Sequence, residues 1–220
     1  MKQFFKTEKR RIIIAIVLFI AVFAGSFLLY RINGRKEEAS ALVTVEAGQY
    51  TGQGIVYEWQ ENRGYILTAG HILSGFFEGE SCEVVFSDGT KVQAVIIYQS
   101  ETADAAFLYA ENTETKEIKP VKTDRERFDA LKEGDFLYTL YQKDGKVKRT
   151  EGVLLYPWVY LEDFSLNMML ADMDCIMGMS GSGVYDEKGN FAGIVCGVSS
   201  DGEAAVLPLS VIESEWSMAR

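Results

Sequence analysis

Three side chains in this 220-residue sequence have the types needed for nucleophilic catalysis: His71 in "GYILTAGHILSG", Asp104 in "SETADAAFLYA" and Ser180 in "MGMSGSGVY". A serine hydroxyl attacks a carbonyl only if a base takes its proton, and the base works best when a carboxylate holds its second ring nitrogen. The glycines flanking Ser180 suit the same chemistry. Backbone N–H groups that must converge on one small volume to hold an oxyanion are obstructed by neighbouring Cβ atoms. Each piece also has a plainer reading: His71, the one histidine, as a structural residue at a strand end, Asp104 as a turn or strand-start cap, and "GMSGSG" as a tight turn. A lone histidine cannot make a zinc site of the usual kinds, and no cofactor is expected.

The elements that must position these residues are strands. Short runs rich in β-branched and aromatic residues recur between turn signals, among them "ALVTVEA", "GIVYEW", "GYILTAG", "AAFLYA", "LNMMLAD" and "AAVLPL". Asp88-Gly89, Asp144-Gly145 and Lys188-Gly189-Asn190 read as hairpin turns. Only "VKTDRERFDALKEG" and "LSVIESEWSMAR" look helical, the second with Val211, Ile212 and Trp216 on one face. An all-β body of this kind is a barrel or sandwich, and a charged, strand-poor stretch at about 111–133 divides it in two.

Ahead of the body, Ile12 to Tyr30 are 19 uncharged, mostly apolar residues. As a helix they would span about 28 Å, close to the hydrocarbon thickness of a bilayer. A cleaved signal peptide would have a shorter apolar region and a small-x-small cleavage site; Ala24-Gly25-Ser26 is the one weak candidate. Five basic residues precede the span and three follow it, which keeps residues 1–11 in the cytoplasm and places the body outside. Residues 31–40, "RINGRKEEAS", read as a stalk. Residues 1–36 carry eight basic residues and one acidic, leaving 14 basic and 31 acidic in residues 37–220. So acidic a body is a poor ligand for nucleic acid. Cys82, Cys175 and Cys196 are too few for a disulfide framework, although a Cys175–Cys196 bridge is one option.

The order His71, Asp104, Ser180 is that of the chymotrypsin-type triad and neither the subtilisin nor the α/β-hydrolase order. Over nearly all of residues 41–215 the sequence resembles trypsin-like serine proteases of the HtrA group. "TGQGIVYEWQENRGYILTAGHIL" resembles their glycine-rich strand, hairpin and histidine segment. "VVFSDGTKVQAVIIYQSETADAAFLYA" is similar to their aspartate stretch, and "LADMDCIMGMSGSGVYDEKGNFAGIVCG" to their nucleophile stretch, with Asp172 on the upstream aspartate. The resemblance implies two six-stranded antiparallel barrels, about 41–118 and 128–208, with a short C-terminal helix and the active site between the barrels. It implies a bacterial serine endopeptidase acting on protein substrates, with Gly178 and Ser180 supplying the oxyanion-hole N–H groups; the 12–30 span makes a membrane-anchored form the expectation, and no PDZ module is expected after the body. HtrA relatives are commonly trimers, so a homo-oligomer is expected as a possible state.

Departures qualify the resemblance. Met179 stands where the family has Asn, or digestive enzymes Asp; Ser182 and Gly183 replace the glycine and proline after the nucleophile, as in glutamyl endopeptidases. Those enzymes meet Glu with a second histidine, which this chain lacks. Asp174 has the spacing of trypsin's pocket carboxylate, and with Met177 and Cys196 it is a candidate for lining the substrate pocket. Met168 and Met169 read as core. The alternative function is a degenerate protease fold kept as a binding or sensor domain, its oxyanion hole spoiled by Met179.

Overall fold

A computed structural model of the chain describes residues 19–22, 38–60, 63–111 and 118–220. Two units are distinguished, Met1–Lys36 and a compact body, Glu37–Arg220. In the first, residues 19–22 are helical with exposed side chains. The rest of the expected 12–30 span, the 1–11 segment and the stalk up to residue 37 lie outside the described residues. No helix among the described residues is long and apolar enough to cross a membrane.

The body is built from strands whose alternation buries one face. In "SCEVVF", Cys82, Val84 and Phe86 are buried while the residues between them are not. Six strands, β1 (Leu42–Ala47), β2 (Tyr50–Gln60), β3 (Arg63–Thr68), β4 (Ser81–Phe86), β5 (Lys91–Gln99) and β6 (Ala106–Glu111), close an antiparallel barrel in the order β1-β2-β3-β6-β5-β4. Six more, β7 (Phe136–Lys143), β8 (Lys146–Leu161), β9 (Leu166–Met173), β10 (Gly183–Asp186), β11 (Phe191–Val198) and β12 (Ala204–Pro208), close a second in the order β10-β11-β12-β9-β8-β7. The expected pair of six-stranded barrels is therefore present, and all three expected hairpin turns join consecutive strands. Met168 and Met169 are core residues of the second barrel, at 0 % and 1 % exposure.

Helix is scarcer than expected in the linker. Of "VKTDRERFDALKEG" only α1 (Arg125–Asp129) is helical, started by Asp124, whose carboxylate accepts the Arg127 N–H at 3.1 Å. The linker also stitches the barrels. Val121 N–H donates to the β2 carbonyl of Val56 (3.0 Å), and Phe191 N–H on β11 donates to Lys122 (2.8 Å). A second tie is α2 (Leu209–Ala219), which follows the last strand of the second barrel. Its Trp216 packs on aromatic residues of the first barrel, with ring centroids 4.7 Å from Phe107, 5.1 Å from Tyr65 and 5.8 Å from Tyr57. Each such pair contributes about 0.5–1.5 kcal/mol beyond simple burial. The buried face of α2 is Leu209, Ile212, Glu215 and Trp216, and Val211 is only partly covered. Glu215 is tolerated there because the Tyr98 hydroxyl donates to it at 2.7 Å.

Candidate active site

His71 and Asp104 come from the first barrel, Ser180 from the second. His71 lies in a single 3-10 turn, Gly70–Leu73, directly after β3. Asp104 sits in the bend between β5 and β6. Its carboxylate takes two hydrogen bonds from one residue: Oδ1 accepts the His71 backbone N–H and Oδ2 meets the ring Nδ1, each at 2.8 Å. A ring nitrogen facing a carboxylate carries the proton, which leaves Nε2 with a free lone pair. The bond from Asp104 raises the His71 pKa above 6.5, against the opposing effect of burial. Burial is the largest influence on Asp104 and acts to raise its pKa, but the bonds from His71 and Cys196 outweigh it and the net shift is downward. Both shifts favour the charged form of each partner, so the pair is suited to hold a proton that His71 accepts, and the imidazole side chain is 48 % exposed and open to a reactant.

Ser180 is half-buried in the turn between β9 and β10. Its carbonyl accepts the Gln53 N–H from β2 at 2.7 Å, so the first barrel grips the backbone of the loop that carries it. Gly181 must be glycine. Its φ is +85°, and a Cβ there would lie 1.9 Å from the Gln53 carbonyl oxygen. Gly178 has φ +91° with open space where a Cβ would point. Between them the loop is closed by Met179, whose N–H donates to the Ile176 carbonyl (3.1 Å) and whose Sδ accepts the Ile176 N–H (3.2 Å). Met179 is 1 % exposed. The thioether therefore fills, from inside, a position where an aspartate would need a cationic partner. Ser182 is fully buried, so only Ser180 of the two serines can meet a substrate.

The pocket candidates are not brought together. Met177 is fully exposed and borders a cleft of about 400 Å³ shared with Gln53, Tyr141, Gln142, Ile176 and Gly178. Asp174 is exposed but outside this cleft, and Cys196 is buried on β11 with its thiol donating to the Asp104 carbonyl at 3.6 Å. All three cysteines are free thiols, so Cys175 and Cys196 do not form a bridge. Burial foremost, then Asp174, pushes Cys175 up to about 11. Among the described residues no group of three His, Cys, Asp or Glu side chains is placed to hold a metal ion.

Comparison with known proteins points the same way as the geometry. The model of the trypsin-like peptidase domain family matches residues 52–194. No curated protein matches the sequence significantly. Among solved structures, the inactive form of a serine-to-alanine mutant of Rv3671c from M. tuberculosis H37Rv is similar with a TM-score of 0.68 at 18 % identity, over 84 % of this chain and 88 % of that one. A serine-to-alanine variant of the HtrA-type protease AlgW with a tripeptide is similar with a TM-score of 0.70 at 19 % identity, over 84 % of this chain and 62 % of that one.

Proposed function

The chain belongs to the trypsin-like peptidase domain family, and from that membership we propose that it is a serine endopeptidase using His71, Asp104 and Ser180. The observation that carries the reading is the doubly bonded His71–Asp104 pair, which fixes one tautomer of the one histidine in the chain. In the cycle, Ser180 Oγ attacks the scissile carbonyl as His71 Nε2 takes its proton. The tetrahedral oxyanion is met by the N–H groups of Gly178 and Ser180. His71 then returns the proton to the leaving amine, and water repeats the sequence on the acyl-enzyme. Among the described residues no hydrogen bond joins Ser180 to the His71 ring; in free enzymes that contact commonly tightens only when substrate arrives.

A fluorophosphonate tests the reading, because it reacts with an activated serine and ignores a binding domain of the same fold. Labelling is expected at Ser180, at a rate that climbs with pH as His71 loses its proton. Since Asp104 raises the pKa of His71, the midpoint of that climb falls above 6.5. An unlabelled chain would favour the binding-domain alternative, and a midpoint below 6.5 would detach His71 from the reaction.

The proposal extends to location: a single span at 12–30 anchors the protein, with the body outside the membrane, supported by the basic residues flanking the span. A tag at the C-terminus of the membrane-bound protein should be cut by protease added to intact cells. A tag that stays protected until lysis would reverse this topology.

A further inference from the structure

We propose that Gln53 is a positioning residue for the oxyanion-binding loop, acting through the carbonyl of Gly178. This deepens, and rests on, the reading of Ser180 as nucleophile and Gly178 as an oxyanion donor. Gln53 is 3 % exposed on β2, at the junction of the two barrels. Its Oε1 accepts the Gln142 N–H on β7 at 2.9 Å, and its Nε2 donates to the Gln142 carbonyl at 3.4 Å and to the Gly178 carbonyl at 3.1 Å. The partners fix which end of the amide is which, since one is an N–H and two are carbonyls. The side chain thus copies one rung of an antiparallel ladder across the barrel boundary and spends its remaining N–H on the loop.

The loop needs that bond more than its neighbours do. Met177 is fully exposed and Gly178 has no side chain, so packing cannot set the orientation of the Gly178–Met179 peptide from the outer side. From the inner side Met179 holds the turn by its own N–H and Sδ. With the Gly178 carbonyl tied to Gln53, both ends of that peptide are anchored and the torsions of Gly178 are bounded. Released, the Gly178–Met179 peptide is free to swing, the Gly178 torsions lose their fixed end, and the preceding Met177–Gly178 peptide, which carries the Gly178 N–H, can turn away from a developing oxyanion. The backbone of the same residue donates to Ser180, so Gln53 touches both residues that offer N–H groups to the intermediate.

The test uses Gln53→Met, which keeps length and volume without hydrogen bonds, and Gln53→Glu, which keeps the outline but turns the donor end into a second acceptor facing two carbonyls. Thr44→Val is the control, because the Thr44 hydroxyl donates to the Gln142 side chain at 3.2 Å and bridges the barrels without touching the loop. Gln53→Met is expected to lower kcat by about 10- to 100-fold, less than deletion of an oxyanion donor outright, with KM changed less than about three-fold. Affinity for a peptidyl boronate, whose adduct mimics the tetrahedral state, should fall by the same factor as kcat/KM. Gln53→Glu should be worse at pH 8 and recover relative to wild type as acid protonates the new carboxyl. Thr44→Val should stay within about two-fold of wild type. Should Gln53→Met fail to fold, Gln53→Glu is read by the same kcat criterion. A kcat within about three-fold of wild type in the folded variant, or a loss confined to KM or matched by Thr44→Val, overturns the proposal. If wild type itself neither cleaves nor labels, the serine-peptidase reading fails and takes this inference with it; normal wild-type turnover beside an unaffected Gln53 variant removes the inference alone.

Discussion

Ser180→Ala is expected to lower turnover of an unfolded protein substrate by about 10⁵- to 10⁶-fold while leaving the melting temperature within a few degrees of wild type. The two halves of that expectation have separate causes. The Ser180 hydroxyl makes no hydrogen bond among the described residues, and the loop around it is held by backbone groups and by Met179, all of which the alanine keeps. Nothing structural is therefore lost. The chemistry loses its only nucleophile within reach, because Ser182 is fully buried and the free thiols of Cys175 and Cys196 are raised by burial well away from thiolate. His71→Ala should cost about as much, and the double variant little more than either alone, since members of one catalytic unit do not act additively. Steady-state cleavage of a casein-like substrate, paired with a thermal melt, reads both quantities. Turnover surviving in purified Ser180→Ala would remove the protease assignment.

Asp104→Asn is expected to cut kcat by about 10⁴-fold and to shift the acid limb of the activity profile downward. The carboxylate accepts at both oxygens, from the His71 backbone N–H and from ring Nδ1. An asparagine amide can accept with only one. If its oxygen keeps the backbone bond, its NH₂ faces Nδ1 and forces the proton onto Nε2, the atom that must be free to accept from serine. The hydrogen bond that raises the His71 pKa also disappears, so the imidazole that remains loses its proton at lower pH than in wild type. Linkage gives stability effects of opposite sense for the two partners. The depressed Asp104 pKa contributes stability that is present at neutral pH and fades as pH falls through the folded value. The raised His71 pKa contributes stability that is complete below 6.5 and fades as pH rises through its folded value. A pH–rate profile of Asp104→Asn that is parallel to wild type, or a loss below about ten-fold, would show that Asp104 does not orient the base.

Legibility in the sequence followed how local each signal was. The strand alternation and the Asp-Gly and Gly-Asn turns are carried within a few residues and gave an all-β body, barrel or sandwich, while the choice of two barrels came from the resemblance to HtrA proteases. His71, Asp104 and Ser180 stood out because each sits beside glycine or at the mouth of an apolar run, and the fold then brought the first two within 2.8 Å. Gln53 also lies between two glycines, Gly52 and Gly54, but its side-chain type is not one that nucleophilic catalysis calls for. Its significance depends on Gln142, 89 positions away, and a glutamine in a strand reads as an ordinary outward-facing residue. Met179 looked like damage to the oxyanion loop, because sequence shows the missing carboxylate but not the Sδ that accepts the Ile176 N–H in its place. Helix α2 was placed correctly, yet its buried face includes Glu215, whose partner Tyr98 lies 117 positions earlier. The pocket residues Asp174, Met177 and Cys196 were grouped by spacing alone, and spacing does not say on which side of a turn each side chain emerges.

The Trp216 contact has a consequence in time. His71 and Asp104 are on the first barrel, Ser180 on the second, and α2, which follows every strand, lies across both. Synthesis runs from His71 to Asp104 to Ser180 and only then to Trp216. A chain still emerging from the ribosome can close its first barrel, with His71 and Asp104 already paired, while Ser180 is unmade, and for a while it can carry all three side chains without the Trp216 strap between the barrels. On the proposed peptidase reading, assembly of the three side chains is thus left to the last part of synthesis, after the strands that self-cleavage would attack have already been folded into the first barrel.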